Sequence, residues 1–136
     1  MERLKKLIES HPAGSAFKTE ELASAIIECY SCGHICRTCA DACLSEEMVK
    51  DLVKCIRLNQ DCAEICQTAG NMLSRIGSIN EDALREQLRA CVAACDICGS
   101  ECMLHKEHEH CMICADKCFE CRDVCEKMLT EVPTMI

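Results

Sequence analysis

The sequence predicts an all-α protein, an antiparallel up-down-up-down four-helix bundle with a short extra N-terminal helix. Three observations carry that prediction. Seventeen of the 136 residues are cysteine, and nearly all recur at alternating steps of three and four, the spacing of the inward seam of a bundled helix. Four seam-bearing stretches are divided by short breaks rich in helix-start and helix-stop residues, and short connections between long helices imply antiparallel neighbours. A chain of 136 residues is one domain, long enough for four helices around a core of their own.

In chain order, residues 2–10 read as a short amphipathic helix with Leu4, Leu7 and Ile8 on one side, closed by the breaker stretch His11-Pro12-Ala13-Gly14-Ser15. The first long helix starts near Thr19, read as its N-cap, with Glu20 and Glu21 in the electropositive first turn, and runs to about Leu44. Ser45, followed by Glu46 and Glu47, is read as the cap of a second helix that continues to about Arg75 and is ended by Gly77. In Ser78-Ile79-Asn80-Glu81, the Ser and the Glu three residues on form a capping-box signature for a third helix, which reaches about His105. The fourth begins between Lys106 and Cys111 and ends before Pro133. Residues 1–16 thus form a short N-terminal helix and loop, and residues 17–132 the bundle.

Composition removes several function classes. Three aromatics, Phe17, Tyr30 and Phe119, cannot supply a conventional core of rings and branched aliphatics. A formal charge of −8 argues against nucleic acid, whose binders present a basic face. The opening Met1-Glu2-Arg3-Leu4-Lys5-Lys6 is not followed by the apolar run of a secretory segment, and no apolar stretch approaches the ~20 residues of a membrane span. The expected compartment is the cytoplasm, where thiols stay reduced. An odd number of cysteines cannot pair completely within one chain, so a disulfide framework is a poor reading.

The cysteines stand at Cys29, Cys32, Cys36, Cys39 and Cys43; at Cys55, Cys62 and Cys66; at Cys91, Cys95, Cys98 and Cys102; and at Cys111, Cys114, Cys118, Cys121 and Cys125. Extending the seams shows two chemically different bundle ends. Leu22, Ile26, Leu73, Leu84, Leu88 and Met128 gather at one as an apolar plug. At the other, Cys43, Met48, Cys102, His105 and Cys111 converge, with Met103, His108 and His110 near the last turn, a mouth suited to a soft metal. His105 continues the stripe of the third helix, whereas His108 and His110 flank the stripe of the fourth; the three histidines are also compatible with a solvated turn. Asn59 occupies a seam position between Cys55 and Cys62, where a polar residue commonly fixes helix register. Met72, Met128 and Met135 read as packing or tail residues.

Free cysteine can serve simply as a small buried hydrophobe, and a few such residues would ask for nothing more. Seventeen in register leave a bundle sized for leucine with an axial void, or draw its helices unusually close. Metal ions fill such a space. Structural zinc sites are isolated tetrahedra and iron–sulfur clusters need discrete ligand sets, yet the Cys-x-x-Cys pairs here run into one another without spacers. Charge separates the metals further. A monovalent ion at one per sulfur replaces each lost proton with one positive charge, whereas a divalent ion on four unshared thiolates leaves buried negative charge. Cu(I) is soft, monovalent and suited to thiolate and thioether, so the expected capacity is on the order of one Cu(I) per thiolate, in the teens per chain.

With Cys-x-x-Cys and Cys-x-x-x-Cys steps along its helices and a His/Met cluster at one end, the chain resembles the bacterial copper storage proteins, in their cytosolic branch, over about Thr19 to Thr130. The resemblance implies a four-helix bundle whose lumen stores many Cu(I) ions, a homotetramer, and no catalytic activity. It makes the seventeen cysteines the core ligands, and His105, His108, His110 and Met48 candidates for the entrance. Three rivals stand beside this reading: a general thiophilic buffer for zinc or cadmium; a thiol redox protein, which would need a few privileged low-pKa cysteines; and an iron–sulfur electron carrier, which would be coloured as purified.

Overall fold

The computed structural model describes residues 1–133, so Met135 lies outside the described residues. Five α-helices carry the described residues: α1 (Glu2–Glu9), α2 (Thr19–Leu44), α3 (Val53–Ser74), α4 (Glu81–Cys102) and α5 (Glu109–Glu131), with 3-10 turns at Val49–Leu52 and Ile76–Ser78. α2 packs on α3 and α5, and α4 packs on the same two, which closes an up-down-up-down ring. α1 lies outside it, docked by the buried Ile8 and an ion pair from Lys5 to Glu20 of 2.8 Å. Leu7, expected beside Ile8, faces solvent.

Hydrogen bonding at the helix ends relocates several expected caps. The Leu22 N–H bonds the Lys18 carbonyl at 2.9 Å, so Lys18 is the N-cap of α2 and Thr19 its first helical residue. Ser45 closes α2 instead of opening α3: its N–H bonds the Ala42 carbonyl at 3.0 Å and its hydroxyl the Asp41 carbonyl at 3.3 Å. The chain then crosses the mouth end, pinned by buried Leu52, and α3 starts at Val53. α3 ends at Ser74 ahead of Gly77, which lies against the His11 ring; a Cβ there would sit 2.9 Å from His11 Cε1. At α4 the cap is Asn80, whose side-chain oxygen accepts the Ala83 N–H at 2.9 Å, while Ser78 lies in the preceding 3-10 turn. α4 stops at Cys102, its last carbonyls taken by the N–H groups of Met103, Leu104 and His105, so His105 stands in the turn.

Packing follows the expected split. Leu22, Ile26, Leu73, Leu84, Leu88 and Met128 are all buried as the plug, each large apolar side chain contributing on the order of 2 kcal/mol. The rest of the axis is sulfur, and the helices approach until the thiols touch, with Sγ–Sγ separations from 3.2 to 4.0 Å. Small residues on the flanks permit this. The Tyr30 ring of α2 lies on Gly70 of α3, and the Phe119 ring of α5 on Gly99 of α4, where an added Cβ would meet ring atoms at 2.9 and 2.7 Å.

Because Asn80 and not Ser78 satisfies the first turn of α4, the two substitutions separate. Asn80→Ala lowers the stability of the reduced, metal-free protein by about 1 kcal/mol, and Ser78→Ala changes it by less than about 0.5 kcal/mol, read by urea denaturation followed by circular dichroism.

Candidate metal centre

The long helices place their cysteines at steps of three and four, with one step of seven across Asn59 in α3, one above another on the inner face. All seventeen are buried and free. Near the plug, Cys29, Cys91, Cys121 and Cys125 bring sulfurs from three helices together, and Cys66 lies 3.2 Å from Cys91. Next come Cys32, Cys62, Cys66 and Cys95, then Cys32, Cys36, Cys62 and Cys118, then Cys36, Cys98, Cys114 and Cys118; within each group the sulfurs lie within 4.8 Å of one another. The second and third groups share Cys32 and Cys62, the third and fourth share Cys36 and Cys118, and the Cys66–Cys91 contact joins the first group to the second. The sulfurs therefore form a continuous column and not a row of separate tetrahedra, as the unspaced ladder implied.

Asn59 stands in the middle of that column, fully buried and the one buried polar side chain among the described residues. Its Oδ1 accepts from Cys98 at 2.9 Å, Cys114 at 3.2 Å and Cys102 at 3.6 Å, and its Nδ2 donates to Cys55 Sγ at 3.8 Å. The seam position marked it in the sequence as a register residue; its service to Cys98, Cys102 and Cys114 depends on two other helices and had no local signal.

The mouth is lined by three histidines held by carboxylates. His110 Nδ1 faces the outermost thiols, 3.5 Å from Cys39, 3.6 Å from Cys111 and 3.9 Å from Cys43, while its Nε2 is 3.0 Å from Glu46 Oε2. His108 stacks on His110 with centroids 5.4 Å apart, and its Nδ1 lies 2.7 Å from the same Glu46 oxygen. His105 Nε2 pairs with Glu101 at 2.9 Å, and Cys55 and Cys102 meet beneath at 3.6 Å. Met48 projects into solvent at the lip, 62% exposed. Of the expected mouth residues, His110 is the one in contact with the thiols. The stripe had favoured His105, but α4 ends at Cys102 and α5 begins at Glu109, which sets His110 in a first turn directly over Cys39 and Cys43.

Electrostatics along the column are set by burial and by hydrogen bonding between thiols. Burial pushes the Cys43 thiol up to about 11 and raises Cys111 as well. Cys55 moves the opposite way, lowered by its hydrogen bonding with Cys102 and by the field of the His105 ring. At the lip, the hydrogen bond from His110, aided by the field of His108, holds the Glu46 carboxyl below its usual range. Soft donors, overlapping sites and one imidazole at the opening suit thiophilic ions that can be passed from sulfur to sulfur.

A helical bundle with a thiol shaft open through imidazoles at one end is a thiolate metal-binding bundle. The chain belongs to the copper storage protein family, whose sequence profile matches residues 18–130. It is similar to the copper storage protein Ccsp from Streptomyces lividans loaded with 10 copper equivalents, at 40% identity and a TM-score of 0.90, covering 94% of this chain and 98% of that one. A structure of a cytosolic copper storage protein from Streptomyces lividans carrying five coppers matches at 44% identity and a TM-score of 0.79, over 82% of this chain and 93% of that one. The Cu(I)-bound copper storage protein BsCsp3 matches at 33% identity and a TM-score of 0.72, over 80% of this chain and 98% of that one.

Two outcomes follow for the metal-free protein. Cys43 rises from 9.0 to about 11 on folding, so the folded chain holds that proton more tightly than the unfolded one. Its stabilising contribution is full below pH 9.0 and is lost as the pH climbs to about 11. Thermal unfolding under reducing conditions should therefore show Tm falling across that interval. Asn59→Ala strips three thiols of their acceptor and should cost about 1–3 kcal/mol in a denaturant titration.

Proposed function

We propose that this chain stores Cu(I), taking up many ions on the thiolates of the bundle core and releasing them by ligand exchange. The observation that carries the reading is the unbroken column in which neighbouring four-sulfur groups share cysteines or touch through them. In such a column an ion stays coordinated while it moves, because the next sulfur is already within 4.8 Å. Each thiol that loses its proton gains one monovalent ion, so the shaft stays neutral and no ion is left buried without compensation. The ligands proposed for the store are Cys29, Cys32, Cys36, Cys39, Cys43, Cys55, Cys62, Cys66, Cys91, Cys95, Cys98, Cys102, Cys111, Cys114, Cys118, Cys121 and Cys125.

Copper enters at the end opposite the leucine plug. Met48 at the exposed lip offers a thioether to an arriving ion, His108 and His105 flank the opening, and His110 bridges it to Cys39, Cys43 and Cys111. The chain acts as a binding protein and not an enzyme. A cytoplasmic location agrees with seventeen free thiols and with the cytosolic relative. Assembly as a homotetramer is supported by the outer face of α3 and α4, where Leu58, Ile65, Ala93, Ala94 and Ile97 line an apolar groove and Leu104 stands 72% exposed beyond it. A buffer for zinc or cadmium is the competing reading, since each four-sulfur group has the right number of donors for a tetrahedron.

Anaerobic titration of the reduced protein with Cu(I) against a chromophoric chelator should withhold on the order of one ion per thiolate, in the teens. Zinc added beforehand should be displaced without lowering that number, and saturation at one or two coppers would defeat the proposal. Sedimentation equilibrium should return four times the 15.1 kDa chain mass.

A further inference from the structure

The chemistry of the shaft explains its thiols and the imidazole above them, but not the carboxylate behind that imidazole. Glu46 sits in the turn after α2, 64 residues from His110, and one of its oxygens receives both His110 Nε2 at 3.0 Å and His108 Nδ1 at 2.7 Å. A neutral imidazole has one N–H, and the nitrogen that faces a carboxylate is the one that carries it. Nε2 of His110 is thereby committed as the donor, which leaves the lone pair of Nδ1 aimed at Cys39, Cys43 and Cys111. This is the outer-shell arrangement in which a carboxylate fixes the tautomer and ring orientation of a ligating histidine and raises its basicity. Glu101 and His105 repeat the pairing on the other side of the mouth at 2.9 Å, but it is His110 whose free nitrogen meets three thiols.

We propose that Glu46 is the positioning residue of the copper entrance: it holds His110 with Nδ1 bare and turned inward, and so sets the rate at which Cu(I) passes into and out of the shaft without adding to the number stored. The proposal rests on His110 lying on the copper path. Glu46 reaches both rings from the α2 side while the rings belong to the start of α5, so the same contact holds the lip of the mouth together across two helices. The imidazole that bridges the lip to the outermost thiols is then oriented by a group behind it.

Stopped-flow loading from a Cu(I)–chelator complex, followed by the total equivalents withheld, separates the two quantities. Glu46→Ala should slow the first phase by ~10–100-fold with the final equivalents unchanged, and Glu46→Gln, which keeps the size and one acceptor, should fall between it and the parent. His110→Ala should be at least as slow, and adding Glu46→Ala to it should slow loading no further, because the carboxylate acts through that ring. In the copper-free protein, ¹⁵N spectra of the ring should show His110 protonated at Nε2 and bare at Nδ1. If His110→Ala loads at the parent rate, the entrance reading itself fails. If His110→Ala is slow while Glu46→Ala is fast, if the two effects multiply, or if Nδ1 carries the proton, the role given to Glu46 is overturned.

Discussion

A thiol can leave water only with its proton, or with a cation in the proton's place, and this chain takes seventeen of them out of water together. Every other feature answers to that constraint. With protons in place the shaft is a stack of small, weakly polar groups, neutral and packed to sulfur contact. Once the protons leave, a positive charge must arrive at nearly every sulfur, because separated anions in a dry interior are too costly. A soft univalent ion meets the condition one for one. The same requirement explains why the buried polar group among the described residues is a neutral amide, Asn59, and why the carboxylates Glu46 and Glu101 stay at the rim.

Cysteine is a poor spacer, so the architecture must compensate for its size. The helices close on one another through Gly70 and Gly99, each covered by an aromatic ring from the neighbouring helix, and the plug of leucines supplies at one end the conventional apolar burial that the shaft lacks. That division also gives the protein a direction. One end is sealed by Leu22, Leu73, Leu84 and Leu88, and at the other His110 meets the outermost thiols.

The seams were legible in the sequence because they are local: steps of three and four fix which side chains share a helix face whatever the neighbours do. From them came the bundle, the inward thiols, and the opposition of plug and mouth. Helix ends were legible only in part. Ser45 and Ser78 are good capping residues, but tertiary context gives α2 a serine at its close and gives Asn80 the opening of α4. The mouth depended on those ends. Once α4 stops at Cys102, a residue three positions later no longer follows the stripe, and the turn hands contact with the thiols to His110. Asn59 as a hub and Glu46 as a tether arise from pairings 39 to 64 residues apart, which no periodicity encodes.

The central claim is that copper enters this shaft by proton exchange at neutral charge, and counting protons tests it most directly. Anaerobic addition of Cu(I) to the reduced protein in a pH-stat near neutrality should release ~1 proton per copper, continuing into the teens of equivalents. Release that stops after one or two ions, or copper uptake with no matching protons, would contradict the account.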